Sequence, residues 1–172
     1  AGFTYNDDGL LLQDGEPFTV EMVLIPDGAP FAQILQAMYA ELGVTVELFQ
    51  LDAGALFGRV VAGEYAIGIG FYDFAEADVM YTFYHSTNLG GFNISQINDP
   101  VLDEILDRTR SEIDPEARQQ AVDEAQQRII EQAYVVPTIT LEEYLPVSQR
   151  LVDVVIGQDT AIWFNDAYIA GE

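Results

Sequence analysis

The apolar positions of the chain change period along its length. Residues 18–25 (Phe18, Thr19, Val20, Glu21, Met22, Val23, Leu24, Ile25) alternate and are rich in β-branched types, which predicts a strand stopped by Pro26-Asp27-Gly28. From Pro30 onward, Phe31, Ile34, Leu35, Met38, Tyr39 and Leu42 recur at helical spacing, with proline near the first turn and Gly43 just past the last, so an amphipathic helix follows. Val44, Val46 and Leu48 alternate with Thr45 and Glu47 as a second strand. Asp52 stands where it can cap a second helix whose Leu56, Val60 and Val61 face inward, and Gly63 ends that helix. Residues 65–70 alternate again, with Gly68 and Gly70 two apart, as a third strand. Strand, helix, strand, helix, strand with short joints predicts parallel neighbours in an α/β layer.

Beyond that strand the pattern predicts a helix over 79–84, then a glycine- and asparagine-rich loop at residues 88–93. Asp99 is placed as an N-cap with Pro100 as the first helical residue, and Asp103 and Glu104 sit in the first turn. Leu102, Ile105 and Leu106 supply the buried stripe. The device repeats at Asp114-Pro115-Glu116, opening a long helix with Ala121, Val122, Ala125, Ile129 and Ala133 on its inner face. Residues 134–141 are β-rich, with Pro137 indicating an edge or a bulge, and a further strand is expected over 151–156. Residues 1–17 read as turns with a short hairpin around Leu10, Leu11 and Leu12, and Ala161-Ile162-Trp163-Phe164-Asn165 is apolar. No repeat, low-complexity stretch or linker interrupts the chain, so residues 1–172 are expected to form a single domain.

Composition narrows the partners. Twenty-nine acidic residues face six arginines and no lysine, a formal net charge of −23 in 172 residues. Nucleic acid and anionic membrane surfaces require cationic patches and are poor partners for such a chain. The acids read as a solvated surface, suited to a salt-adapted or extracellular setting, because no calcium-loop pattern organises them. Cysteine is absent, which removes disulfides, thiolate metal sites and cysteine nucleophiles. There is no apolar run of membrane-spanning length, and the first residues lack the basic and apolar regions of a signal peptide, so an export signal would lie outside this chain.

Candidate chemistry concentrates at residues 71–78, Phe71-Tyr72-Asp73-Phe74-Ala75-Glu76-Ala77-Asp78, at the carboxyl end of the third predicted strand, where open α/β sheets gather ligands. Asp73 between Tyr72 and Phe74 can take charge-assisted hydrogen bonds from an ammonium group while the rings keep water away; equally, Asp73 can cap the next segment and the rings can belong to the core. The single histidine, His85, has Ser86 beside it, but helical neighbours diverge, so it is expected to make a local hydrogen bond at a helix end. Gly68-Ile69-Gly70 lacks the third glycine and the following helix of a dinucleotide loop. The carboxylate pairs Asp73/Glu76 and Glu142/Glu143 have the composition of acid–base sites, yet such pairs arise by chance in a chain this acidic.

The order of these pieces resembles the C-terminal lobe of the family 5 extracellular solute-binding proteins, the receptors of peptide, nickel and related ABC importers. The carrying residues are Ala1-Gly2-Phe3 with Asp8-Gly9 and Gly15-Glu16-Pro17-Phe18, Leu42-Gly43-Val44 through Leu51-Asp52, and Gly63-Glu64-Tyr65. Tyr72-Asp73-Phe74-Ala75-Glu76, Asn98-Asp99-Pro100 with Asp103, Asp114-Pro115-Glu116-Ala117-Arg118 and Val136-Pro137 complete it. The resemblance implies a periplasmic-binding-protein-like lobe, with a mixed, mostly parallel sheet flanked by helices, as a fragment of a larger two-lobed protein. It implies a non-enzymatic substrate-binding component of an ABC importer that closes on a peptide-like or other small solute, works with permease subunits, needs no cofactor or metal, is monomeric, and sits outside the cytoplasm on a lipid anchor. It carries over to Asp73 the role of holding a ligand amino terminus, with Phe71, Tyr72, Phe74 and Asn93 as lining. The chain departs from the family pattern at Ala77, where proline is usual, in lacking a tryptophan near Phe71, and in keeping Asn93 without flanking tyrosines. The alternative of another class is a hydrolase or lyase domain using Asp73 and Glu76.

Overall fold

The alternating stretches at 18–25 and 44–50 fold as parallel neighbours: β4 (Thr19–Leu24) pairs in register with β5 (Thr45–Gln50), from Thr19 opposite Thr45 to Leu24 opposite Gln50. The structure is a computed structural model that describes residues 2–70, 74, 76–140, 142, 144, 146–157 and 161–171. Ahead of this pair run three short antiparallel strands, β1 (Phe3–Tyr5), β2 (Leu11–Gln13) and β3 (Glu16–Pro17), in sheet order β1-β2-β3. The hairpin expected around Leu10–Leu12 is thus part of a meander. On the other side of β4 lies β6 (Ile67–Gly68), also parallel, with Met22 opposite Ile67. Met22, Val23 and Leu24 are all buried, so β4 is covered on both faces, as a central parallel strand must be.

The helices α1 (Ala29–Glu41) and α2 (Ala53–Val61) are the connections between the parallel strands. At the end of α1 the Gly43 amide donates to Ala40 O at 2.9 Å and the Val44 amide to Tyr39 O at 3.0 Å, with Gly43 at φ 75°, which is a Schellman stop. Asp52 caps α2, accepting from the Ala55 amide at 3.0 Å. The Arg59–Glu21 ion pair, at 2.5 Å, links α2 to the middle of β4. The core joins Met22, Leu24, Ala32, Val44 and Val46 to Leu11, Phe18, Leu35, Tyr39 and Ile67.

Two expectations for this region are corrected. Of the six apolar positions on α1, Phe31, Leu35 and Tyr39 are half-buried, whereas Ile34, Met38 and Leu42 are 58, 58 and 59% exposed. A sheet of three strands, one of them two residues long, covers a narrow arc of a helix. The third strand is likewise shorter than its pattern: only Ile67 and Gly68 form ladder pairs, and the Ile69 amide adds a bond to Val23 O at 3.1 Å. Gly68 and Gly70 contribute no side chain to hold the strand further.

The chain divides into two compact units, one of Ala1–Phe71 with Phe83–Asn98, the other of Tyr72–Thr82 with Asp99–Glu172. In the second, α4 (Pro100–Ser111) and α5 (Pro115–Glu131) pack through Leu102, Ile105 and Leu106 against Ala121, Val122, Ala125 and Ile129, where the small alanines allow close approach. Asp99 and Asp114 cap them as expected, accepting from the Val101 and Ala117 amides at 3.1 and 2.9 Å. Ala133, read as part of the α5 face, lies past the helix end at φ 53° and is exposed. The helix stops because the Tyr134 amide turns back to Ile129 O at 3.1 Å.

Residues 134–140 form no strand, and Val136 is exposed; Pro137 lacks the amide a ladder needs. Instead of one strand over 151–156 there are two, β7 (Leu151–Val152) and β8 (Val155–Ile156), separated by Asp153 at φ 59°. They pair with different partners: β7 with β10 (Tyr168–Ile169), β8 with β9 (Ile162–Trp163), both antiparallel.

Candidate ligand-binding edge

With the order β5-β4-β6, the connection from β4 runs to β5 on one side and the connection from β5 runs back past β4 to β6 on the other, so the carboxyl ends of β4 and β6 flank a switch point, the place where open parallel sheets present a crevice. The aromatic–acidic loop follows β6 directly in the chain. Phe71, Tyr72 and Asp73 lie outside the described residues. Phe74 is described and exposed, outside regular secondary structure, and Glu76 is exposed in the turn that opens α3 (Val79–Tyr84).

Asn93 has a different setting from the lining position read in the sequence. It is fully buried, and its amide is committed to backbone: Nδ2 donates to Ile97 O at 2.7 Å and His85 O at 3.2 Å, while Oδ1 accepts from the Ile97 amide at 3.0 Å. The side chain therefore ties residue 85 to residue 97 and gives the loop its shape. His85 is buried at the end of α3 and does make the local bond expected of it, Nδ1 accepting from the Thr87 amide at 3.1 Å.

The rest of this loop is tied to its surroundings just as closely. Tyr65 OH donates to Ile94 O, and burial pushes its phenol up, which keeps the donor proton in place. Gln96, at φ 55°, donates through Nε2 to the last carbonyls of α2, Val60 O at 3.0 Å and Val61 O at 3.2 Å. Phe92 carries an aromatic contact on each side, to Phe57 at 6.0 Å and to Phe83 at 6.1 Å between centroids. No sequence spacing announces the Tyr65–Ile94 and Gln96–Val60 ties, which join residues 29 and 36 apart.

In the second unit, Asp99 does more than cap α4. Arg128 Nε and Nη2 donate to its Oδ2 and Oδ1 at 2.5 and 2.9 Å, and Tyr134 OH donates to Oδ2 at 3.1 Å. The Arg128 guanidinium above all, with the Tyr134 hydroxyl and the α4 amides, lowers its carboxyl to about 2. Asp78 is held in a similar way by Arg110, whose Nε and Nη2 donate at 2.5 and 2.8 Å, and its carboxyl is lowered in consequence. Among the described residues no cluster of three metal-ligating side chains occurs, and no helix is long and apolar enough to cross a membrane.

An open depression of about 240 Å³ lies elsewhere, lined by Leu10, Gln36, Ala40, Val44, Thr45 and Val46. It sits at the amino end of β5, away from the carboxyl edge, and is smaller than a typical small-molecule pocket.

No protein-family model matches the chain, and no curated protein matches it. Solved structures do. HbpA2 from Haemophilus parasuis is 20% identical with a TM-score of 0.75, over 88% of this chain and 32% of its own. NikZ from Campylobacter jejuni, in complex with Ni(L-His), is 22% identical with a TM-score of 0.68, over 77% of this chain and 28% of its own. The ABC transporter-associated periplasmic binding protein DppA from Helicobacter pylori, in complex with the peptide STSA, is 23% identical with a TM-score of 0.59, over 68% of this chain and 24% of its own. The fold is thus periplasmic-binding-protein-like, and the chain spans about a third or less of the length of the structures it resembles.

Proposed function

We propose that this chain is one lobe of a solute-binding protein of the family 5 type that serves an ABC importer outside the cytoplasm and captures a peptide-like or other small solute by closing on it. The observation that carries this reading is the fold: similarity to binding proteins over most of the chain, at a TM-score of 0.75, together with a sequence loop of Phe71, Tyr72, Asp73 and Phe74 that follows the strand bordering the switch point. In this reading Asp73 takes the ligand's ammonium group, and Phe71, Tyr72 and Phe74 shield the pair from water, which strengthens it. Asn93 holds its own loop, since both polar atoms of its amide meet backbone partners. No covalent step is required. The second lobe, the permease and a lipid anchor belong to the same proposal, as does a monomeric state.

Calorimetry of the full-length protein with a pool of unblocked tri- to pentapeptides, repeated with Asp73→Ala, tests it. Loss of a shielded charge pair weakens binding by about 2 kcal/mol or more, roughly thirtyfold. Unchanged affinity would remove the anchor role from Asp73, and turnover of any of these peptides would replace binding with hydrolysis at Asp73 and Glu76.

A further inference from the structure

Asn93-Ile94-Ser95 is the chain's only Asn-x-Ser/Thr triplet, the pattern that asparagine-linked glycosyltransferases read, and its middle residue is not the proline that would disqualify it. In a protein proposed to work outside the cytoplasm, such a triplet is ordinarily an acceptor on a surface loop. Here the acceptor nitrogen is already occupied. Nδ2 carries two protons and faces two close carbonyls, Ile97 O at 2.7 Å and His85 O at 3.2 Å. The Ile97 amide donates to Oδ1 at 3.0 Å, so rotating the amide frees nothing, and the residue is fully buried.

The triplet is also pinned on both sides of Ser95. Tyr65 OH donates to Ile94 O, and Gln96 Nε2 donates to Val60 O at 3.0 Å and Val61 O at 3.2 Å. The Gln96 amide closes the turn on Asn93 O at 3.2 Å. All of these residues belong to the first compact unit. Exposing Nδ2 therefore means releasing the loop from residue 65 and from the end of α2 together, an opening of the unit rather than the fraying of a loop tip.

We propose that Asn93 is a fold-gated glycosylation acceptor: the triplet is read in the unfolded chain, closed in the native loop, and incompatible with that loop once modified. In the modification, the anomeric carbon of a lipid-linked oligosaccharide donor breaks its bond to the lipid phosphate and bonds to Nδ2. Nδ2 gives up one proton to solvent, and the lipid phosphate departs. The product amide keeps one N–H for two buried carbonyls, so one of them loses its partner. Its new carbon stands about 1.5 Å from Nδ2, inside gaps that the carbonyl oxygens now close at 2.7 and 3.2 Å.

Two experiments test it. In the first, an oligosaccharyltransferase and its lipid-linked donor are given a peptide of residues 88–98 and, separately, the folded full-length protein, and mass spectrometry reads the occupancy of Asn93. The peptide is expected to be glycosylated, and the folded protein to react about a hundredfold more slowly or less. A peptide that stays unmodified overturns the acceptor role, and equal rates overturn the gate. In the second, the full-length protein is secreted from a host that glycosylates asparagine, beside Ser95→Ala, which destroys the triplet and leaves the Asn93 amide intact, and Ser95→Thr, which keeps the triplet. Wild type and Ser95→Thr are expected to be retained in the cell with a glycan on Asn93, and Ser95→Ala to raise the secreted yield about fivefold. Equal yields of wild type and Ser95→Ala overturn the incompatibility. So does secreted, protease-resistant wild type carrying a glycan on Asn93, a readout that decides the question even where Ser95→Ala itself weakens the fold.

Discussion

Gly43 lies so close to Gly9 that a Cβ built on it would stand 2.4 Å from the Gly9 carbonyl oxygen. The two backbones meet where the Leu11 amide donates to Gly43 O at 2.8 Å, joining the meander to the start of β5. Gly43→Ala therefore combines a left-handed φ of 75° with a clash against backbone, and is expected to lose about 2–4 kcal/mol. Gly90 is the internal control: it has the same φ of 75° and nothing within 4 Å, so Gly90→Ala is expected to lose only about 1 kcal/mol. Urea titrations that give the two variants equal losses would show that the Gly43 contact is absent in solution.

Asn93→Ala strips partners from Ile97 N and from the carbonyls of His85 and Ile97 in a fully buried setting, for a loss of about 3 kcal/mol. Asn93→Asp keeps the shape but turns an acceptor toward those two carbonyls, so it is expected to be the worse variant at neutral pH. Chemical denaturation ranks them, and an aspartate milder than alanine would contradict the assigned orientation of the amide.

The Asp99 carboxyl is lowered from 3.8 to about 2 in the folded chain. A depressed acid stabilises the fold above its unfolded value and loses that contribution as pH falls through the folded value. The stability difference between wild type and Asp99→Asn should thus be about 2 kcal/mol at neutral pH and shrink between about pH 4 and about pH 2. Taking the difference cancels the titration of the other acids. A difference that does not change across that window would mean that Arg128 is not paired with Asp99 in solution.

Ile34, Met38 and Leu42 form an open stripe along α1. Ile34→Gln and Met38→Gln are expected to change stability by no more than about 0.5 kcal/mol and to reduce binding of a hydrophobic dye, whereas Leu24→Ala, in the core, is expected to lose about 2–5 kcal/mol. A loss above about 2 kcal/mol in either glutamine variant would mean that the stripe is covered in solution.

Where a signal is local, the sequence carries it. Asp52, Asp99 and Asp114 cap helices because a cap needs only the next three amides, and Met22, Val23 and Leu24 form a buried strand because their run is apolar on both faces. The outward half of the α1 stripe was not legible, since helical period says which residues share a face but not how wide a sheet waits opposite. Nor could residues 134–141 be distinguished from a strand by composition alone, Pro137 notwithstanding. The candidate site divides in the same way. Phe71, Tyr72, Asp73 and Phe74 stand out as a local pattern, and the first three fall outside the described residues. Asn93 was visible as a polar residue in a glycine loop, but its burial comes from bonds to the backbone of His85 and Ile97, which the irregular shape of the loop and no periodic pattern brings together. Arg110 carries no signal in the sequence because its partner, Asp78, is 32 residues away.

The division of the chain has a consequence for synthesis. Residues 72–82 belong with 99–172, yet they are made before any of it, while the first unit has all of its sequence once Asn98 is made. During translation the first unit can close around 83–98 while 72–82 is an excursion with nothing to dock on. Its anchor arrives only when Arg110 leaves the ribosome, so Asp78 and Tyr81 are among the last residues of the early chain to gain their partner.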